Sequence, residues 1–301
     1  MRAFLSRIME ARPQAIIVSA LSLVFPPFGF IGGGIIGLAT LKHGLAEGSL
    51  VAGAAIFLAG VITWFVVDTT APVIMFAVIT GVPVLLLATT LRITRSLATT
   101  ITVAGLLGVI ATIGLHIAIN DPLTWWRDRL YGILLEHPPL EKTSAELETL
   151  VDALAPMMIA LPAGAVFGAL LTLFLARWWH AVLDNPGGFG NEFRALRLDR
   201  RLAITAIAVV GMVVIFADRT MGISSEFLQI FIILYLFQGL AIAHGVTAVR
   251  GASTSWLTAL YILLLLIPTV ITNLLVITGL LDTWLDFRAR AAAGGQRLRK
   301  L

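Results

Sequence analysis

Polar side chains interrupt the apolar stretches of this chain at His116, Gln229, Gln238, His244, Asn273 and Asp282, with Tyr235 and Tyr261 as amphipathic neighbours. A polar group inside an apolar run is expensive to place in lipid, so it must be satisfied by a neighbouring helix or serve a ligand. Tyr235 and Gln238 share one helical face, and Asn273 sits just beyond Pro268. Tyr235, Gln238, Tyr261 and Asn273 therefore form a candidate pocket, whose amides and phenols can hydrogen-bond a small polar or amphipathic molecule. The competing role is structural: one interhelical hydrogen bond each, worth about 0.6 kcal/mol. His116 and His244 lie near segment ends, where hydration is a simpler explanation than metal binding.

No catalytic constellation accompanies these groups. There is no His-Glu-x-x-His, no Gly-x-Ser-x-Gly and no acid pair on one apolar helix. Cysteine is absent, which excludes thiolate catalysis and disulfides. Gly187, Gly188 and Gly190 do not make a phosphate loop, because no strand precedes them and no Lys-Ser/Thr follows. The expectation is a protein that is not an enzyme and has no cofactor and no metal.

The elements that would position these residues are membrane helices. The chain has 301 residues, 58% hydrophobic and 13% charged, with a formal charge of +4. A soluble domain carries about 25% charged residues. Its mean hydropathy of +0.96 leaves more apolar surface than one water-soluble core can hide. The basic residues sit in short loops between apolar runs, an orientation signal rather than a nucleic-acid site, so no nucleic-acid partner is expected. Arg2, Arg7 and Arg12 precede an apolar stretch without a convincing cleavage site, and the start reads as an uncleaved first membrane segment.

Apolar segments fall at about 15–25, 28–41, 49–67, 71–91, 97–119, 156–176, 202–217, 227–249, 254–267 and 269–285. A straight crossing needs about 20 residues, and the first two and last two are too short. Pro26-Pro27 divides the first pair and Pro268 the last. Proline lacks the N–H an interior helical turn needs. The expected fold is all-α: a polytopic transmembrane bundle of about 8–10 segments, broken or short at both ends, forming a single domain over 1–301. If each broken pair is a hairpin, the basic residues gather on one side and leave only Arg127, Arg129, Lys142 and Arg219 on the other. By the positive-inside rule both termini are then cytoplasmic, in a multi-pass protein of the bacterial inner membrane.

Beyond the first break Gly29, Gly33 and Gly37 repeat every four residues, a face for close helix packing. Ala104, Gly108 and Thr112 form a similar ladder, as do Ala160, Gly164 and Gly168, and packing within the bundle is expected of both. An outer amphipathic loop is expected at 120–155, with Asp121-Pro122 starting one helix and Thr143-x-x-Glu146 capping another. His137-Pro138-Pro139 should end the first piece. The loop would lie on the leaflet surface or cover a cavity mouth. A cytoplasmic loop is expected at 177–201, with Asn191 capping a helix and Gly187, Gly188, Phe189, Glu192, Phe193 and Arg197 as candidate partner-docking residues. It reads as an interfacial elbow or a docking site. A basic tail closes the chain at 286–301.

Several stretches together resemble the YybS-like family of uncharacterised bacterial integral membrane proteins: the Pro/Gly hairpin leading into Leu41-Lys42-His43-Gly44, the Pro-Gly-Gly-Phe-Gly-x-Glu-Phe run at 186–193, and the ending Gly279-x-x-Asp282-x-x-x-x-x-Arg288. The resemblance implies a distant relation to the substrate-binding subunits of energy-coupling-factor transporters, which bind a small molecule in the membrane and work with partner subunits. It also implies a partner contact at the small-residue ladder Ala11, Ala15 and Ser19. The expected function is binding or transport of a small molecule with partner subunits. The alternative is a membrane scaffold that recruits cytoplasmic partners through 184–201 and the tail. Expected partners are the lipid bilayer and membrane or cytoplasmic subunits, with a homo-oligomer left open.

Overall fold

The computed structural model describes residues 1–136, 143–215 and 223–298. His137-Pro138-Pro139, Lys142, Arg219, Arg299 and Lys300 lie outside them. Among the described residues every regular element is helical. The chain opens with α1 (Arg2–Glu10) and α2 (Arg12–Val24), turns through Pro26–Phe28 and returns as α3 (Gly29–His43). α4 (Leu45–Val67) follows, then α5 (Ala71–Phe76), a π-helical turn at Ala77–Gly81 and α6 (Val82–Thr94), which together make one span. Next come α7 (Leu97–Ala118), α8 (Pro122–Glu136), α9 (Ser144–Ile159), α10 (Leu161–Asp184), the short α11 (Gly188–Arg194) and α12 (Arg200–Ile215). α13 (Ile223–Arg250), α14 (Ser255–Leu266), α15 (Pro268–Leu285) and α16 (Phe287–Leu298) complete it. Among the described residues six helices are long and apolar enough to cross a membrane: α4, the α5–α6 span, α7, α10, α13 and α15.

The first proline pair turns the chain back on itself. Leu5 packs with Leu38, Ile8 and Ala15 with Ile35, Ile36 and Ala39, and a Cβ on Gly32 would stand 2.9 Å from the Ser19 carbonyl oxygen. These pairs would be far apart in a straight helix. α3 is sunk into the centre because its glycines admit neighbours at backbone distance. A Cβ on Gly33 would meet Thr172 at 2.8 Å, one on Gly37 Ala176 at 2.9 Å, and Gly29 faces Phe76.

At the second break α13 and α15 run parallel. Gln238 and Gly279 sit level with Leu198, while Gly245 and Arg288 sit level with Arg194. The C-terminal ends of α13 and α15 therefore lie at the same end of the bundle, and α14 with α15 is a hairpin. Arg2 donates to the Leu183 carbonyl and Lys42 stands 3.5 Å from Asp184 at that same end. The basic ends of the chain thus gather on one side.

Three local expectations need correction. Ala15 and Ser19, 3% and 0% exposed, are taken up by packing inside the chain, with Val51 and Ala52 among the neighbours of Ala15. They are not free for a partner subunit. Among the described residues nothing lies within 4 Å of a Cβ at Gly164 or Gly168, so that ladder does not pack within the bundle, whereas Gly108 meets Val166 and Ile230. The 177–201 loop begins only after Asp184. α10 carries the chain past Arg177, whose guanidinium is satisfied by Glu192, and α11 starts at Gly188, so Asn191 lies within the helix rather than capping it.

Candidate functional site

The four candidate pocket residues do not converge. Gln238 is fully buried; its amide oxygen accepts from the Leu198 N–H at 2.7 Å and its amide nitrogen donates to the Gly279 carbonyl at 2.6 Å. It staples the loop before α12 to the crossing of α13 and α15. Removing it would orphan two buried backbone groups, at about 1–3 kcal/mol each. Tyr235 lies one turn away, 1% exposed, with no hydrogen-bond partner for its hydroxyl among the described residues. Tyr261 holds its hydroxyl 2.9 Å from His244 Nε2, and that imidazole meets Phe193 edge-on. Asn273 faces outward, exposed.

The other intramembrane groups pair locally. Asp282, 2% exposed, accepts from the Phe287 N–H at 2.7 Å and from Arg288 at 2.8 Å. Arg288 also donates to the carbonyls of Arg194 and Leu196 at 2.8 Å each. The closing Gly279–Asp282–Arg288 pattern is thus a clamp: close approach at the glycine, then charge-assisted bonds that hold the 194–198 segment. His116 stands 3.4 Å from Glu226, a buried acid to which hydropathy alone does not draw the eye, and Gln229 is half-buried.

The elbow at 185–198 is knitted into the bundle. Pro186-Gly187 makes a tight turn with the Gly188 N–H on the Asn185 carbonyl, and Gly187 adopts φ 85°, a conformation that favours glycine. Phe189 and Phe193 pack on Phe174. Glu192 receives both arms of Arg177, and Arg197 pairs with Asp286. That hydrogen bond holds the Asp286 carboxyl below its usual range and the Arg197 guanidinium above its own. Gly187 is exposed and Gly188 buried.

A concave site lies elsewhere, near the opposite end. An apolar cavity of about 230 Å³ opens between the α5–α6 span, α7 and α10, with Trp126 of α8 on its wall. Val78, Ile79 and Pro83 form one side, Gly108 and Pro162 others. Its shape has a local cause. Pro83 offers no N–H and its ring crowds the preceding turn; the π turn at Ala77–Gly81 widens the backbone just before it, with the Val82 N–H reaching the Ala77 carbonyl. The Trp126 ring meets the cavity, and its indole N–H has no acceptor among the described residues.

Trp126 is held there by α8 and α9. Asp121 accepts from the Leu123 and Thr124 N–H groups and the Thr124 hydroxyl, which lowers its pKa and starts α8. Thr143 and Glu146 form a reciprocal capping box on α9, and Arg127 pairs with Asp152 at 2.6 Å across the two helices. Leu147 and Val151 form the buried face of α9. Pro83 inside a long apolar run was the signal for this site; the pairing of three helices around it has no sequence mark.

Residues 135–283, just under half of the chain, match the model of a family described as predicted membrane protein DUF2232. No curated protein and no solved structure matches the chain. With six candidate spans among the described residues and this match, the chain is a membrane protein.

Proposed function

We propose that this protein binds a small apolar molecule, or the apolar arm of an amphipathic one, in the cavity beneath Trp126, and passes it on with partner subunits. The observation that carries this is the cavity itself: open, apolar, walled by a π turn and two prolines, with Trp126 in its wall and an indole donor that has no acceptor among the described residues. π turns recur at functional sites because they reshape a helix without ending it. Ligand pockets are mostly apolar with few placed polar groups. α8 and α9 would then act as a cover rather than a surface-lying loop. The resemblance to the YybS-like family, and through it to transporter substrate-binding subunits, agrees with this role, as does a bacterial inner membrane with cytoplasmic termini. No catalytic step is part of it.

A scaffold role has less support, because Phe189, Glu192, Phe193 and Arg197 already engage groups of the same chain. The test uses 1-aminoanthracene, which brightens in apolar cavities. Saturable fluorescence on the purified protein is expected, and Ala165→Phe, which fills the cavity from its own wall, should abolish the saturable part. Equal titrations for the two proteins would sink the proposal. Co-purification in mild detergent checks for the partner subunits.

A further inference from the structure

At the basic end three helices terminate together: α3 at His43, α6 at Thr94 and α10 at Asp184. They enclose a second pocket of about 480 Å³, lined by Lys42, Arg92, Arg95, Arg177, His180 and the acids Asp184 and Glu192, with Leu41 and Leu91 as apolar floor. Helix C-termini carry free carbonyls and partial negative charge, so some cations here are caps. Arg92 is one: it donates to the carbonyls of Leu41 and Lys42. Arg177 is spoken for by Glu192 and stands 3.3 Å from His180. Lys42 and His180 share Asp184, at 3.5 and 3.4 Å.

Arg95 is left over. It closes α6 in the left-handed conformation, φ 53°, with its N–H on the Leu91 carbonyl, and its guanidinium makes no hydrogen bond or ion pair among the described residues, yet lines the pocket. Two carboxylates face four permanent cations, so the pocket keeps a surplus of positive charge after every internal partner is assigned. Trp178, exposed, follows Arg177 directly on α10, and an exposed tryptophan at a helix end marks the headgroup layer of a bilayer.

We propose that this pocket binds a phosphate group, with the Arg95 guanidinium as its uncommitted donor and Lys42 as the second charge. Guanidinium matches phosphate by two parallel hydrogen bonds, and arginine at this depth reaches lipid phosphates from the helix end. The phosphate can belong to a lipid headgroup entering from the bilayer or to a soluble phosphomonoester entering from the aqueous side. The site is separate from the apolar cavity and independent of it.

The test has two arms on the full chain in detergent. Native mass spectrometry counts adducts of dioleoyl phosphatidylglycerol, and melting is followed with added glycerol 3-phosphate. Arg95→Gln should weaken whichever ligand binds by about tenfold, the loss of one charge-assisted hydrogen bond. Arg129→Gln, an exposed arginine at the opposite end, should leave binding unchanged. Lys42→Gln must lower the same signal, which keeps the outcome readable if Arg95→Gln folds poorly. Loss of lipid adducts assigns a headgroup; loss of the melting shift assigns a soluble phosphomonoester. Equal lipid adducts and equal melting shifts in wild type, Arg95→Gln and Lys42→Gln would overturn the proposal.

Discussion

Both ends of this chain are turned back by proline, and the two hairpins have opposite fates. After Pro26-Pro27, α3 buries most of its residues, from Gly29 through Leu41. After the turn at Gly251, α14 runs out to Pro268 with no buried residue, and Leu265 is 82% exposed. The difference lies in the returning helix. α3 carries glycines wherever α2, α6 and α10 approach, whereas α14 is studded with leucine and has no small face. In lipid, leucine is as well solvated as in a core, so nothing drives α14 inward, while close backbone packing draws α3 to the centre. The C-terminal hairpin is held instead through α15, where Gly239 and Gly279 meet backbone to backbone.

This contrast can be broken by substitution. The largest effect is expected from Gly34→Leu. A Cβ there already stands 2.8 Å from the Trp179 ring, and a leucine overpacks the contact of α3 with α10. A loss of about 3 kcal/mol is expected, at the upper end for inserted bulk, read as a lower melting temperature and aggregated elution. Unchanged melting would mean that α3 is not tightly enclosed.

A smaller effect is expected at the C-terminal hairpin from Asp286→Asn. The Arg197 hydrogen bond holds the folded carboxyl below 3.8, its ordinary value. The unfolded chain therefore takes up the proton more readily, so the pair adds stability above that value and loses it as pH falls through the folded one. Both side chains are more than a third exposed, so screening limits the gain to about 0.2–1 kcal/mol. Melting of wild type and variant between about pH 3 and pH 7 should show an advantage that fades at the acid end. An advantage that grew on acidification would contradict the pairing.

The smallest effect is expected from Leu265→Ala on the outer face of α14, within about 0.5 kcal/mol. A loss comparable to that of Gly34→Leu would show that α14 is covered in the native assembly, by a partner or a second copy.

Much of this architecture was legible in residue types. Pro26-Pro27 and Pro268 marked the turns because a missing N–H acts locally, and Asp121 and Thr143-x-x-Glu146 marked helix starts for the same reason. The candidate site was less legible. Gln238 was singled out as polar in an apolar run, but whether it faces a ligand or a backbone depends on Leu198 and Gly279, some forty residues away on either side. The Ala160–Gly168 and Ala104–Thr112 ladders have the same spacing and opposite surroundings, which spacing cannot distinguish.

By itself the sequence determined the solvent, the helices, the two reversals and the gathering of arginines at one end. Each follows from hydropathy, backbone chemistry or charge, which act over a few residues. Only the tertiary structure decided which helix is central, which glycines are covered, and that Pro83 and Trp126 share a cavity while Arg95 stands unpaired in another. Those outcomes depend on which helices become neighbours, and in a bilayer that choice rests on surface shape and hydrogen-bond complementarity between distant segments rather than on how apolar each one is.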